Sequence, residues 1–298
     1  MNIFIPVLAM TLAATTQTPT PPAPAKTPEP APFSARRLAA EKIIGESAAE
    51  VSVAYRVLDG SEEWMHEADK VYHAASTMKV PVMIELFRQE SEKQLSLSET
   101  LEVRNEFKSV VDGSPYSMDL GDDSDATVYK NVGKTMTLEE LNVQMITVSS
   151  NFATNLLIDR LGVKNVRATV EAMGAYGVEV RRGVEDQKAF DLGIINETTA
   201  RGLFVLLNAI ARGTAVTKSA SQRMVDVLAA QKFNDGIPQG VPPGTKVAHK
   251  TGTITRVHHD AAIVYGARPC LLVILTRGIE KEADSDALIA RITKALLP

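Results

Sequence analysis

The chain has 298 residues, 45% of them hydrophobic and 23% charged, enough for a substantial core in one large domain or two lobes. Its 32 basic and 36 acidic residues leave a net charge of −4 with no basic block, so no nucleic-acid partner is expected. The single cysteine, Cys270, excludes an intrachain disulfide. Five histidines without zinc spacing make a metal unexpected, and nothing points to a cofactor.

Residues 3–14 form an apolar stretch too short to span a bilayer and followed by small residues, as in a secretory leader. We expect residues 1–16 to be a signal peptide and the protein to be exported, periplasmic or secreted, without a stable membrane anchor. Seven of the fifteen prolines lie between Pro19 and Pro32, so residues 17–32 read as an extended linker. Residues 33–49 suggest an amphipathic helix with Leu38, Ile43, Ile44 and Ala48 on its apolar side. Alternation from Val51 to Val57, then Asp59-Gly60, then Trp64 to His66 predicts a β-hairpin.

Helical patterns dominate from residue 76 to 232. Thr137 and Glu140 have capping-box spacing; residues 151–161 are periodic and stop at Gly162; residues 197–212 and 217–231 predict two more helices. Strands return at 245–250, 261–265 and 271–276, where Cys270 reads as a buried thiol, and residues 284–297 predict a closing helix. The expected fold class is α+β: an antiparallel sheet from residues 33–75 and 233–298, flanked by terminal helices, with 76–232 inserted as a mainly helical lobe.

Ser76-Thr-Met-Lys79 precedes the helical run that begins at Val80. Three residues apart on a helix, a desolvated Lys79 can take the proton that makes Ser76 a nucleophile, although a helix-capping serine fits the same spacing. Ser149-Ser-Asn151 follows 73 residues later, and Lys250-Thr-Gly-Thr253 comes 101 residues after Ser149, on a strand. Ordered Ser-x-x-Lys, Ser-x-Asn and Lys-Thr-Gly motifs resemble the class A serine β-lactamase family over residues 34–298.

The resemblance implies an acylating Ser76 assisted by Lys79. It also implies that Ser149 passes a proton to the leaving nitrogen and that Asn151 holds the substrate's amide side chain. Lys250 and Thr251 would bind its carboxylate, and the N–H groups of Ser76 and Thr253, beyond Gly252, would receive the oxyanion. In the family a loop glutamate followed four residues later by asparagine deacylates; Glu185 matches the glutamate, but Ala189 stands in the asparagine's place, with Asp186 as an alternative acid. The family's Ser-Asp-Asn is Ser-Ser-Asn here, with Ser150 in the middle.

The expected activity is hydrolysis of a small-molecule β-lactam by a monomer without cofactor. A DD-peptidase or other serine amidase or esterase of the same fold, or a non-hydrolysing penicillin-binding protein or sensor, are the alternatives. An exposed Glu185 paired with Arg181 or Arg182 is its non-catalytic reading. Asp119, Asp122, Asp123 and Asp125 read as a solvated acidic loop, His73 as a packing residue, and residues 256–260 as a turn in which Arg256 or His258 could assist carboxylate binding.

Overall fold

The computed structural model describes residues 31–297, together with Met1 and Ile3. The rest of the expected leader, and all but the last two residues of the proline-rich linker, lie outside the described residues. In chain order the elements begin with α1 (Phe33–Gly45), β1 (Glu50–Val57), β2 (Glu63–His66), β3 (Tyr72–His73), a 3₁₀ turn over Ala75–Met78, and α2 (Lys79–Ser91). Then come β4 (Thr100–Glu102), β5 (Phe107–Lys108), β6 (Pro115–Tyr116), β7 (Thr135–Thr137), α3 (Leu138–Thr147), α4 (Asn151–Leu161) and α5 (Val163–Ala172). The chain closes with α6 (Gln187–Asp191), β8 (Glu197–Thr198), α7 (Ala200–Arg212), α8 (Lys218–Ala229), β9 (Lys246–Ile254), β10 (Val257–Tyr265), β11 (Cys270–Arg277) and α9 (Glu282–Leu296).

The main sheet is five-stranded and antiparallel, in the order β2-β1-β11-β10-β9, so the two ends of the chain meet where β1 pairs with β11. Alternate strand residues feed two cores. Val53, Tyr55, Leu272 and Ile274 face α1 and α9, whereas Ala54, Leu271, Val273 and Leu275 face the helical body built around α2. Burial of both faces explains why residues 270–275 are continuously apolar, although the strand is antiparallel. Cys270 is fully buried there, and burial pushes its thiol up to about 12.

The α+β architecture read from the sequence is the one observed: terminal helices on one face of an antiparallel sheet, and a helical insertion on the other. Local signals fix several ends. Thr137 and Glu140 form a reciprocal capping box at α3, and α4 runs from Asn151 to Leu161 before Gly162 at φ +85°.

Four expectations are corrected. Helix α1 ends at Gly45 and buries Arg36 and Ala40 while Leu38 stays exposed. Its orientation follows Arg36, whose guanidinium binds Glu62 at 2.7 Å and the Leu296 carbonyl. Glu197 and Thr198 pair with Tyr72 and His73 as a β-ladder, and α7 starts only after Thr199 caps Gly202 N–H. The strand β10 begins at Val257, so His258, His259 and Asp260 lie inside the sheet rather than in a turn. Ser76 sits in the 3₁₀ turn before α2, and Met78 precedes that helix without a side-chain cap, so Ser76 is not a capping serine.

Candidate active site

The Ser76 turn is held from both sides. His73 Nδ1 accepts from Ala75 N–H at 3.0 Å, supporting the left-handed Ala75 (φ +46°), and Ala74 N–H donates to the Asn196 carbonyl at 2.8 Å. Strand β9 runs against the turn at Gly252. A Cβ there would lie 3.0 Å from Thr77 Cγ2, 3.1 Å from Thr77 N and 3.2 Å from the Ala74 carbonyl, so glycine permits the approach. The sequence motif Lys-Thr-Gly therefore carries a packing requirement beside its charge.

Lys79 opens α2 with its side chain fully buried. Its Nζ donates to the Ser149 carbonyl at 2.6 Å, Ser149 Oγ at 3.1 Å and Asn151 Oδ1 at 2.8 Å. Burial pulls the ammonium from 10.5 down to about 7, against the opposing pull of the Asp123 and Glu185 carboxylates. Lys250, on β9, is also fully buried and donates to Ser149 Oγ at 3.0 Å and the Thr251 carbonyl at 2.9 Å. Desolvation, and then the charge of Lys79, hold Lys250 well below 10.5. Ser149 thus lies between two desolvated lysines, in a left-handed backbone conformation (φ +57°) that points its hydroxyl at both.

Asn151 begins α4 and spans the site. Its Oδ1 accepts from Lys79, and its Nδ2 donates to Glu185 Oε1 at 2.9 Å. Glu185 has φ +60° and lines a cavity of about 410 Å³ with Ser76, Asn151, Arg182, Phe190 and Thr253. The carboxylate is therefore joined to the site. Arg181 binds Glu197 at 2.7 Å, and Arg182 donates to the carbonyls of Ile194 and Gly183. The conformation of the loop is enforced by Asn155, whose side chain brackets Val184 through its N–H at 2.8 Å and its carbonyl at 2.9 Å.

Asp186, the alternative acid, is committed elsewhere. Its buried carboxylate accepts from Ser109 Oγ and Val110 N–H at 2.9 Å each, and caps α6 through Ala189 N–H at 3.1 Å. Ala189 itself is buried and presents no amide to the cavity.

A second cavity, of about 400 Å³, opens on the other side of Ser76 and takes in Ser149, Thr251 and Thr253. Its far wall carries Asp235, Asp260, Glu282 and Asp286. Desolvation and the charges of Glu282, Asp235 and Asp260 raise Asp286 to about 6. Arg256 does not reach this wall; it is exposed and pairs with Glu280 at 3.2 Å. His258 is buried in β10, where burial lowers its pKa.

The structure thus brings Ser76, Lys79, Ser149, Asn151, Glu185, Lys250, Thr251 and Thr253 to one cleft, with Gly252 beneath it. Sequence reading missed Asn155, Asn196 and Asp123. The Asp123 carboxylate does not sit in a solvated loop but binds the start of α4. No local spacing announces these three, since each meets its partners only after long-range folding. No cluster of three or more His, Cys, Asp or Glu side chains able to hold a metal occurs among the described residues.

Comparison with known proteins gives this geometry a family. A β-lactamase of Bacillus amyloliquefaciens is 30% identical over 175 residues, which are 56% of this chain and 57% of that protein. The chain thus matches little more than half the length of this curated relative. A β-lactamase structure from Sphaerobacter thermophilus DSM 20745 superposes with a TM-score of 0.75 at 23% identity, covering 89% of this chain and 95% of that one. The structure of PBP-A gives 0.74 at 23% identity, over 88% and 94%. Both are likenesses of fold. Residues 35–297 match the Beta-lactamase enzyme family over almost the whole described chain, and to that family the chain belongs.

Proposed function

We propose that the protein is a serine β-lactamase of the class A type. Ser76 Oγ would attack the lactam carbonyl while Lys79 accepts its proton, and the N–H groups of Ser76 and Thr253 would take the oxyanion. The C–N bond then breaks as Ser149 delivers a proton to the departing nitrogen, resupplied from its lysine neighbours. Lys250 and Thr251 would hold the substrate carboxylate, and Asn151 its amide. Water activated by Glu185 would cleave the ester on Ser76 and restore the hydroxyl.

The observation that carries this reading is the bridge from Lys79 through the Asn151 amide to Glu185, beside the cavity that contains Ser76. It supplies an acylation base and a separate deacylating carboxylate in one site. Export follows from the apolar N-terminal stretch and belongs to the same proposal, as does a monomeric state; no helix among the described residues is long and apolar enough to cross a membrane.

A second reading, a DD-peptidase or a penicillin-binding protein that stays acylated, draws on Ala189, which offers no side-chain amide to hold water beside Glu185. Turnover of a chromogenic cephalosporin, with peptide mapping of any adduct, separates the two. The β-lactamase reading expects many turnovers, abolished in Ser76→Ala. A stable adduct on Ser76 with no turnover would establish the second reading, and turnover that survives Ser76→Ala would refute both.

A further inference from the structure

The first turn of α4 and the serine before it are tied to a side chain 27 to 29 residues upstream. Asp123 Oδ1 accepts from Asn151 N–H at 2.9 Å, and Oδ2 accepts from Phe152 N–H at 2.9 Å and from Ser150 Oγ at 3.1 Å. Ser150 in turn caps the helix by accepting from Ala153 N–H at 3.2 Å. A carboxylate is the group best suited to this place. It has acceptors for all three donors, and its charge complements the positive end of the helix. An asparagine has one acceptor oxygen and would turn an N–H group against one of the donors.

The helix it grips begins with the residue that bridges the site. Asn151 is fixed through its backbone by Asp123 and through its side chain to Lys79 and Glu185. The neighbour of Asp123, Ser124, lines the cavity that holds Ser76 and Ser149. We propose that Asp123 is a positioning residue of the active site, supplying from a distant loop the carboxylate that the Ser149-Ser150-Asn151 motif lacks, and so setting Asn151 between Lys79 and Glu185. The proposal rests on the acylation chemistry assigned to Ser76 above. It also accounts for a serine at position 150, since a carboxylate there would face the Asp123 carboxylate and lack the hydroxyl that donates to it.

The charged groups acting on Lys79 are Asp123, Glu185 and, from β9, Lys250. Of these, Asp123 and Glu185 favour the ammonium, so neutralising Asp123 makes Lys79 lose its proton at lower pH. The test compares the full chain with Asp123→Asn, Asp123→Ala and the double variant Asp123→Ala/Ser150→Asp. Acylation of Ser76 is measured from pH 5 to 9 with a cephalosporin, and in parallel with an aryl phosphonate, whose phosphorus bonds the serine oxygen and expels phenolate. The phosphonate reports on an activated Ser76 even if β-lactams prove not to be substrates.

Asp123→Asn is expected to slow acylation by up to roughly 10²-fold, the scale of a small misplacement of reacting groups. It should also move the acid limb of the profile to lower pH. The Ser150→Asp change should restore part of the rate lost in Asp123→Ala, because a cap carboxylate reaches Phe152 N–H, one of the two helix N–H groups that Asp123 binds. A folded Asp123→Asn with wild-type rate, or a loss of rate with the limb unmoved, would overturn the proposal. If Asp123→Ala does not fold, failure of Ser150→Asp to recover folding and acylation would do the same.

Discussion

At Lys79, desolvation opposes the charges of Asp123 and Glu185, and desolvation wins, leaving the amine near pH 7. An ammonium at its ordinary value would hold its proton at neutral pH and could not serve Ser76 as a base. Acylation should therefore rise between pH 5.5 and 8 with an apparent pKa near 7 as Lys79 loses its proton; a rapid-quench profile checks this. Lys79→Arg, which cannot lose its proton, should abolish the rise along with acylation. The same shift acts on stability. The unfolded chain keeps the Lys79 proton up to about 10.5 while the native chain releases it near 7, so this group makes stability increase with pH between those values. Sequence exposed Ser76, Lys79, Ser149 and Lys250 because their chemistry is written in short motifs. Asp123 and Asn155 stayed hidden because their partners lie 28 and 29 residues away, at Asn151 and Val184.

The loop bearing Glu185 is an element without regular structure, and side chains do the work of a ladder. Asp186 ties it to residues 109 and 110, Asn155 brackets Val184, and Asn196 accepts from the N–H groups of Arg181 and Arg182 at 2.8 and 3.1 Å. Removing the Asp186 carboxylate leaves three donors without their partner, two of them backbone N–H groups. Asp186→Ala should cost about 1–3 kcal/mol of stability per buried group left unpaired, and should slow deacylation more than acylation. Accumulation of acyl-enzyme with near-normal burst rates would show this; equal slowing of both steps would assign the loop no selective role. Regular elements were legible where the local code was strong, as in the capping box of α3 and the bounds of α4. The face of α1 was not, since Leu38 follows the helical pattern while the distant Glu62 dictates that Arg36 turn inward. Residues 197–198 fit a helix by pattern, yet pairing with Tyr72 and His73 claims them for the separate two-stranded ladder that leads into the Ser76 turn.

For the whole molecule, a sheet assembled from both chain ends needs a closure, and Glu62 supplies it. It accepts from Arg36 of α1 and Arg268 of the β10–β11 turn, and from Tyr55 Oη at 3.1 Å, while Arg36 also reaches the last turn of α9. Although burial works against it, these bonds hold the Glu62 carboxyl below its usual 4.5. Glu62→Ala leaves Arg36 buried without its partner and should cost about 3 kcal/mol, read as a lowered midpoint in urea. The native pKa is depressed, so the stabilisation is complete above the unfolded value and is lost as pH falls through the native one. The gap between wild type and variant should therefore narrow as pH falls below 4.5. This closure was not legible, because Arg268 lies 206 positions from Glu62 and Leu296 lies 260 from Arg36, though strands at both ends and helices between them already implied the architecture.

The claim on which the account turns is that Glu185 activates the deacylating water without an asparagine at position 189. Intact mass spectra, recorded from seconds to hours after mixing with a β-lactam, test it in wild type and Glu185→Gln. A transient adduct is expected in wild type and a persistent one, of the same mass on Ser76, in the variant. Equal adduct lifetimes in the two proteins would contradict it.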